Sequence, residues 1–265
     1  MKHVFNNRPQ KGSPIFLLPS LITIGAMCAG FFAIFASANG YYIKAAHLIF
    51  LAIILDSLDG RVARLTHTAS PFGAQMDSLS DMVNFGIAPA LIIYNWHLHS
   101  LGRIGGIVVF IYAACAALRL ARFNTMIGII DKRFFLGLPS TASAPIIVGY
   151  VWLCHSYHLN TKLYIILGLI ITLFCAFSMV NNVKFYSFKE FHFHHRAKFR
   201  VLLLSFIILI LLVTYPELVI YSSFVLYLII SYFLHFLNMI RNRTKSDNKK
   251  TLISSTTIKN SNDKP

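Results

Sequence analysis

Asp56 and Asp59 stand three residues apart, and Asp77 and Asp81 stand four apart. Each spacing puts two side chains on one face of a helix. The chain has only nine Asp and Glu residues in 265, yet four of them fall between positions 56 and 81, with apolar sequence on either side. Carboxylates gathered so closely repel one another and lose solvation, so they must protonate, move apart or share a cation. A hard divalent ion such as Mg²⁺ or Mn²⁺ takes oxygen ligands and removes the conflict. Four carboxylates can hold two such ions, and two metals can clamp a phosphoryl group during transfer. The plainer assignment is ion pairing with Arg61 and Arg64, which leaves two carboxylates over.

The elements that must carry these acids are membrane helices. Hydrophobic residues make up 56% of the chain and charged residues 12%, and the mean hydropathy is +0.64. Soluble domains carry about twice that share of charge. A net charge of +15 then reads as basic loops at a membrane surface, with no nucleic-acid partner. The hydropathy predicts an all-α, polytopic helical bundle of about eight transmembrane spans: 15–38, 42–62, 72–95, 103–121, 140–158, 162–182, 199–214 and 218–239. Pro216 and Glu217 separate the last two by a turn. Eight spans place both termini on one side. All but Lys44, Arg103 and Lys162 of the 24 Lys and Arg residues fall on that side, so both termini are expected in the cytoplasm. The first apolar run is followed by several others and reads as a retained span, not a cleaved leader. Cys28, Cys115, Cys154 and Cys175 lie in apolar stretches without a C-x-x-C pair, and read as small packing residues.

In this arrangement Asp56 and Asp81 lie at matching depth, each about 12 Å from the turn between the second and third spans, with Asp59 and Asp77 nearer to it. Gly60 and Ala63 beside the acids leave room for a ligand or for an ordinary helix neighbour. Arg64 can bind phosphate or anchor at the interface. Thr66 and Ser70 sit in the turn as candidate nucleotide contacts or as caps. Arg119 and Arg122, three apart beside Asn124, offer forks for a carboxylate or phosphate, or snorkelling anchors. Lys184 and Lys189 carry the same two readings. His192, His194 and His195 lack nearby cysteine. With Lys189, Arg196, Lys198 and Arg200 they read as a basic patch for anionic lipid, not as a zinc site.

The stretch D-x2-D-G-x2-A-R-x8-G-x3-D-x3-D is filled by Asp56, Asp59, Gly60, Ala63, Arg64, Gly73, Asp77 and Asp81. It resembles the signature of the CDP-alcohol phosphotransferases at all eight positions. "LLPSLITIG", "CAALRLARFN", "FFLGLPSTASA" and "VNNVKFYSFK" look like the integral membrane phosphatidylserine synthase branch, over roughly Leu17 to Lys189. Ser20 stands where relatives often have Asn, and Asn84 where they often have Ser.

The resemblance implies transfer of a phosphatidyl group from CDP-diacylglycerol to L-serine, releasing CMP, with a two-metal Mg²⁺ or Mn²⁺ site. Asp56, Asp59 and Asp77 are implied as metal ligands. Asp81 is implied as ligand and as the general base at the acceptor hydroxyl. Gly60, Ala63, Arg64, Thr66, Ser70 and Gly73 would line the donor nucleotide site, and Arg119, Arg122 and Asn124 the acceptor or phosphate site. A homodimer among membrane lipids is implied too, in a bacterial inner membrane with the site facing the cytoplasm. The expected organisation is a cytoplasmic segment at 1–14, a six-helix catalytic membrane domain at 15–190, a two-helix extension at 191–243 and a disordered polar tail at 244–265. Competing expectations are another acceptor such as glycerol 3-phosphate, a cation transporter, and a lipid-binding relative without activity.

Overall fold

The computed structural model describes residues 17–126, 134–181, 184–186, 199–234 and 236. The expected segments 1–14 and 244–265, and the cluster of His192, His194 and His195 with Lys189, Arg196 and Lys198, lie outside the described residues. Each expected span has a helical counterpart: α1 (Leu17–Ala38), α2 (Tyr42–Leu65), α3 (Pro71–Asp81) with α4 (Ala88–Trp96), α5 (Arg103–Met126), α6 (Ser140–Ser156), α7 (Lys162–Val180), α8 (Phe199–Thr214) and α9 (Pro216–Leu234). A short antiparallel ribbon, β1 (Phe134–Leu136) with β2 (Lys184–Tyr186), joins the ends of two loops and is an addition to the all-α expectation.

Four of these helices, α1, α5, α7 and α9, are long and apolar enough to cross a membrane by length and composition. The others fall short for visible reasons. α2 carries Lys44, Asp56, Asp59, Arg61 and Arg64. The third span is interrupted by a π-helical segment, and α6 and α8 are 17 and 16 residues long.

α1 packs along α2 through small residues. Thr23, Ala26, Ala29, Gly30, Ala33, Ala36 and Ser37 are buried on α1, and Ala45, Ala46, Ile49, Ala52 and Asp59 on α2. Small side chains at one-turn spacing let two helix backbones approach closely. The stripe ends on Asp59, which is why this acid faces α1. α6 is buried along nearly its whole length. It shares one core with α4, α5 and α7, which includes Ile92, Trp96, Tyr112, Ile147 and Met179.

α2 ends in a Schellman turn: Thr68 N–H donates to Ala63 C=O at 3.0 Å and His67 N–H to Arg64 C=O at 3.4 Å. His67 takes the left-handed conformation this closure needs, with φ 53°. The chain reverses at once, and Ser70 caps α3 by accepting from Gly73 N–H at 3.0 Å, with Pro71 at the first turn. That tight reversal sets α3 back towards α2.

α3 does not pass straight into α4. Residues Met82–Ile87 form a π-helical segment. Pro89 has no N–H to offer the carbonyl of Phe85 one turn earlier. The Tyr112 hydroxyl of α5 donates to that carbonyl at 2.9 Å, and Ser143 of α6 donates to Tyr112 at 3.1 Å. The proline thus accounts for a local helix defect, and two neighbouring helices satisfy it.

Candidate active site

The Schellman turn and the capped start of α3 bring the two acidic faces together. Carboxylate oxygens of Asp56, Asp59 and Asp77 all lie within 4.8 Å of one another. Asp81 stands outside this triplet but within hydrogen-bonding reach of Asp56. Two carboxyls come this close only with a proton or a cation between them. All four acids therefore share one site, built from two faces of two helices.

Their protein partners are few. Asp59, 4% exposed, accepts a hydrogen bond from Thr23 Oγ1 at 2.6 Å. The same hydroxyl lies 3.0 Å from the Pro19 carbonyl. It has one proton to give, and the shorter, charge-assisted contact takes it. One oxygen each of Asp56 and Asp81 (Oδ1) is buried without a hydrogen-bond partner among the described residues. Arg61 and Arg64 are exposed and are not among the groups acting on the acids. Among the described residues, the cation whose charge acts there is Arg119, on Asp81. The ion-pair assignment thus fails, because both arginines point to the surface from the last turns of α2.

The donor set fits a hard divalent ion. It is oxygen only, gathered from two helices, with buried oxygens left over that nothing among the described residues satisfies. Space fits as well. A Cβ built on Gly60 would meet nothing within 4 Å, so ordinary packing does not explain that glycine beside Asp59.

The other expected donor residues surround the turn. Gly60, Ala63 and Arg64 lie on the last turns of α2, and Gly73 on the first turn of α3. Thr66 donates to Val62 C=O at 2.8 Å and meets Thr68 at 2.7 Å, while Ser70 is the α3 cap. In this structure both hydroxyls act in the turn. The three acceptor candidates separate. Arg119 Nη1 donates to Ser140 Oγ at 2.6 Å and lies near Asp81. Arg122 donates to Val180 C=O at 3.3 Å, at the end of α7. Asn124 Nδ2 donates to Ser78 Oγ at 3.0 Å, tying α5 to the helix that carries Asp77 and Asp81.

Behind the acids lies a polar chain that the acidic motif does not include. Asn84, fully buried, donates to Ser80 Oγ at 3.1 Å, and Ser80 donates to Thr23 C=O at 3.3 Å. Asn84 packs against Gly30, where a Cβ would stand 2.0 Å from Asn84 Oδ1. A sequence signal exists for two of them: Ser80 and Asn84 are polar and four residues apart, in the predicted third span.

A family model described as CDP-alcohol phosphatidyltransferase matches residues 16–180. The chain belongs to this family. The CDP-alcohol phosphatidyltransferase segment takes in α1 to α7, and with them all four acids, Thr23 and Arg119. A Helicobacter pylori protein named CDP-diacylglycerol–serine O-phosphatidyltransferase is 36% identical over 88% of this chain and 98% of its own length. That match runs past residue 180 into the last helices, further than the resemblance expected from the motifs. Proteins of the same name from Methanocaldococcus jannaschii and Mycobacterium bovis are 45% and 42% identical. They cover 52% and 54% of this chain, and 61% and 51% of their own lengths.

Proposed function

We propose that this chain transfers the phosphatidyl group of CDP-diacylglycerol to the hydroxyl of L-serine, giving phosphatidylserine and CMP. The observation that carries the reading is the four-carboxylate cluster with its unpartnered buried oxygens, set inside the family segment. Relatives named for this reaction, one matching almost end to end, support the choice of serine.

In this reading Asp56, Asp59, Asp77 and Asp81 hold two Mg²⁺ or Mn²⁺ ions. Bound there, the ions would supply positive charge to the donor pyrophosphate and to the departing CMP. Gly60 keeps the space beside the acids open, and Ala63, Arg64 and Gly73 border the donor nucleotide. The serine oxygen forms a bond to the phosphorus that carries diacylglycerol. The P–O bond to CMP breaks, and its electron pair leaves on the CMP phosphate. Asp81 receives the serine hydroxyl proton through the carboxylate oxygen that has no partner among the described residues. Arg119, whose charge acts on Asp81, would receive the serine carboxylate. Arg122 and Asn124 act on the site's frame, through α7 and α3.

The finer topology belongs to the same proposal: eight spans, both termini in the cytoplasm, the site facing the cytoplasm from a bacterial inner membrane, a homodimer, a catalytic unit at 15–190 and a two-helix extension at 191–243. The deciding experiment is CMP release by the purified protein with CDP-diacylglycerol and Mn²⁺ or Mg²⁺, with L-serine or glycerol 3-phosphate. Release that requires serine is expected. Release with glycerol 3-phosphate alone would overturn the acceptor and keep the metal site. No release with any alcohol would overturn the reaction.

A further inference from the structure

The last carbonyls of a helix have no partner within it, and those at the end of α7 bind two other parts of the chain. Ser178 C=O accepts from Leu138 N–H at 2.9 Å, and Val180 C=O accepts from Arg122 of α5 at 3.3 Å. Gly137, at φ 80°, passes so close to α7 that a Cβ there would run into the Met179 carbonyl. Leu138 is fully buried. Residues 137–139 are thereby pinned to α7, and they deliver Ser140, itself fully buried, as the first residue of α6.

Two serines one turn apart on α6 then meet α5. Ser143 Oγ donates to the Tyr112 hydroxyl at 3.1 Å, and Ser140 Oγ accepts from Arg119 Nη1 at 2.6 Å. Tyr112 and Arg119 are seven residues apart, two turns along one face of α5. Two further bonds fix the level of Arg119. α5 is tied to the acidic helix by Asn124 and Ser78 at 3.0 Å, and to the π-helical segment by Tyr112 and Phe85 C=O at 2.9 Å. Arg119 lies between Asn124 and Tyr112, as Asp81 lies between Ser78 and Phe85. The guanidinium therefore leaves α5 at the level of Asp81. It has five N–H donors in one rigid plane, so a neighbour that accepts from one of them narrows the directions of the rest.

We propose that Ser140 is a positioning residue for the acceptor: its hydroxyl oxygen holds Arg119 Nη1 and so aims the remaining donors of the fork at the acceptor's carboxylate beside Asp81. The inference rests on the proposed reaction and deepens it, by giving the segment between α5 and α6 a part in acceptor recognition. Ser140 acts through Arg119 and not through the acid cluster, so its effect falls on the acceptor and not on donor or metal.

The test is Ser140→Ala, which removes only the hydroxyl, beside Ser143→Ala, which removes an equally buried hydroxyl from the same helix face. For Ser140→Ala the KM for L-serine should rise about ten-fold, the size expected for a lost hydrogen bond to a charged group. The kcat should change little, the mark of binding lost equally from ground and transition states. The KM for CDP-diacylglycerol and the Mn²⁺ affinity measured by electron paramagnetic resonance should also change little. Ser143→Ala should lower the thermal midpoint without a selective rise in the serine KM. In an Arg119→Ala background, read as kcat/KM where serine does not saturate, Ser140→Ala should add little. Ser140→Cys keeps the shape with a weaker acceptor; it should raise the serine KM in the same way, and it is the variant read if Ser140→Ala does not fold. The inference is overturned if wild type shows serine-dependent CMP release and the serine KM of these variants is unchanged. It is also overturned if Ser143→Ala gives the same selective rise, if the Ser140 effect persists in full without Arg119, or if neither Ser140 variant folds. Wild type that releases CMP only with an alcohol other than serine overturns the acceptor reading and this inference with it, and the wild-type arm alone tells the two failures apart.

Discussion

Asp81 differs from the other three acids in standing outside the tight oxygen triplet, beside Asp56 and Arg119, with one oxygen unsatisfied. Asp81→Asn keeps the shape and removes the proton acceptor. CMP release should fall below about one part in a hundred, the scale of a lost general base, while the protein keeps its elution position and thermal midpoint in detergent. Turnover near wild type would remove Asp81 from the chemistry. Thr23 acts one step back. Thr23→Val is nearly isosteric and deletes the hydroxyl that meets Asp59 at 2.6 Å. Groups that orient ligand carboxylates typically change metal affinity ten- to a hundred-fold. Mn²⁺ binding should therefore weaken by roughly ten-fold, and saturating metal should restore most of the rate. An unchanged Mn²⁺ titration would show that Asp59 needs no such support.

At the scale of elements, two glycines that look alike in the sequence should respond oppositely. At Gly30 a new methyl would run into Asn84. Gly30→Ala should force α1 away from the π-helical segment and destabilise the fold by about 1–3 kcal/mol, the usual cost of overpacking. At Gly60 a new methyl meets no atom of the described residues within 4 Å. Gly60→Ala should hold or raise the thermal midpoint, by up to about 1 kcal/mol of helix propensity, while activity falls because the methyl enters the space kept for the donor. Thermal unfolding in detergent, paired with CMP release on the same samples, separates the two. Loss of stability at Gly60 would mean that its open space serves the fold and not a substrate.

For the molecule as a whole, the distribution of Lys and Arg sets the expected orientation. Single cysteines placed near either terminus, in a background with the four native cysteines replaced, should be labelled by an impermeant maleimide only after the membrane is opened from the cytoplasmic side. Cysteines beside Lys44, Arg103 or Lys162 should be labelled in intact cells. Opposite accessibility of the two termini would reduce the spans to an odd number, and would put α8, the shorter of the exposed helices, on the membrane surface.

The sequence alone determined where the helices run and which acids can meet. Apolar runs of about 20 residues leave a bilayer protein few alternatives. The i, i+3 and i, i+4 spacing of four carboxylates across a short turn puts two pairs on two faces whatever the rest of the chain does. Boundaries such as 103–121 against the observed Arg103–Met126, or 140–158 against Ser140–Ser156, differ by a few residues, because helix ends depend on caps as well as on hydropathy. Tertiary structure decided the partners. Arg119 faces Asp81 while Arg61 and Arg64 do not, because α5 packs its polar end beside α3 and the last turns of α2 face outward. Thr23 and Asn84 support the acids because small residues let α1 close on α2 and on the π-helical segment, an approach distance that no local pattern encodes. The Tyr232 hydroxyl meets Ser178 of α7 only through the packing of α9 on that helix. Local spacing fixes which side chains share a face; only the packing of whole helices fixes what each face meets.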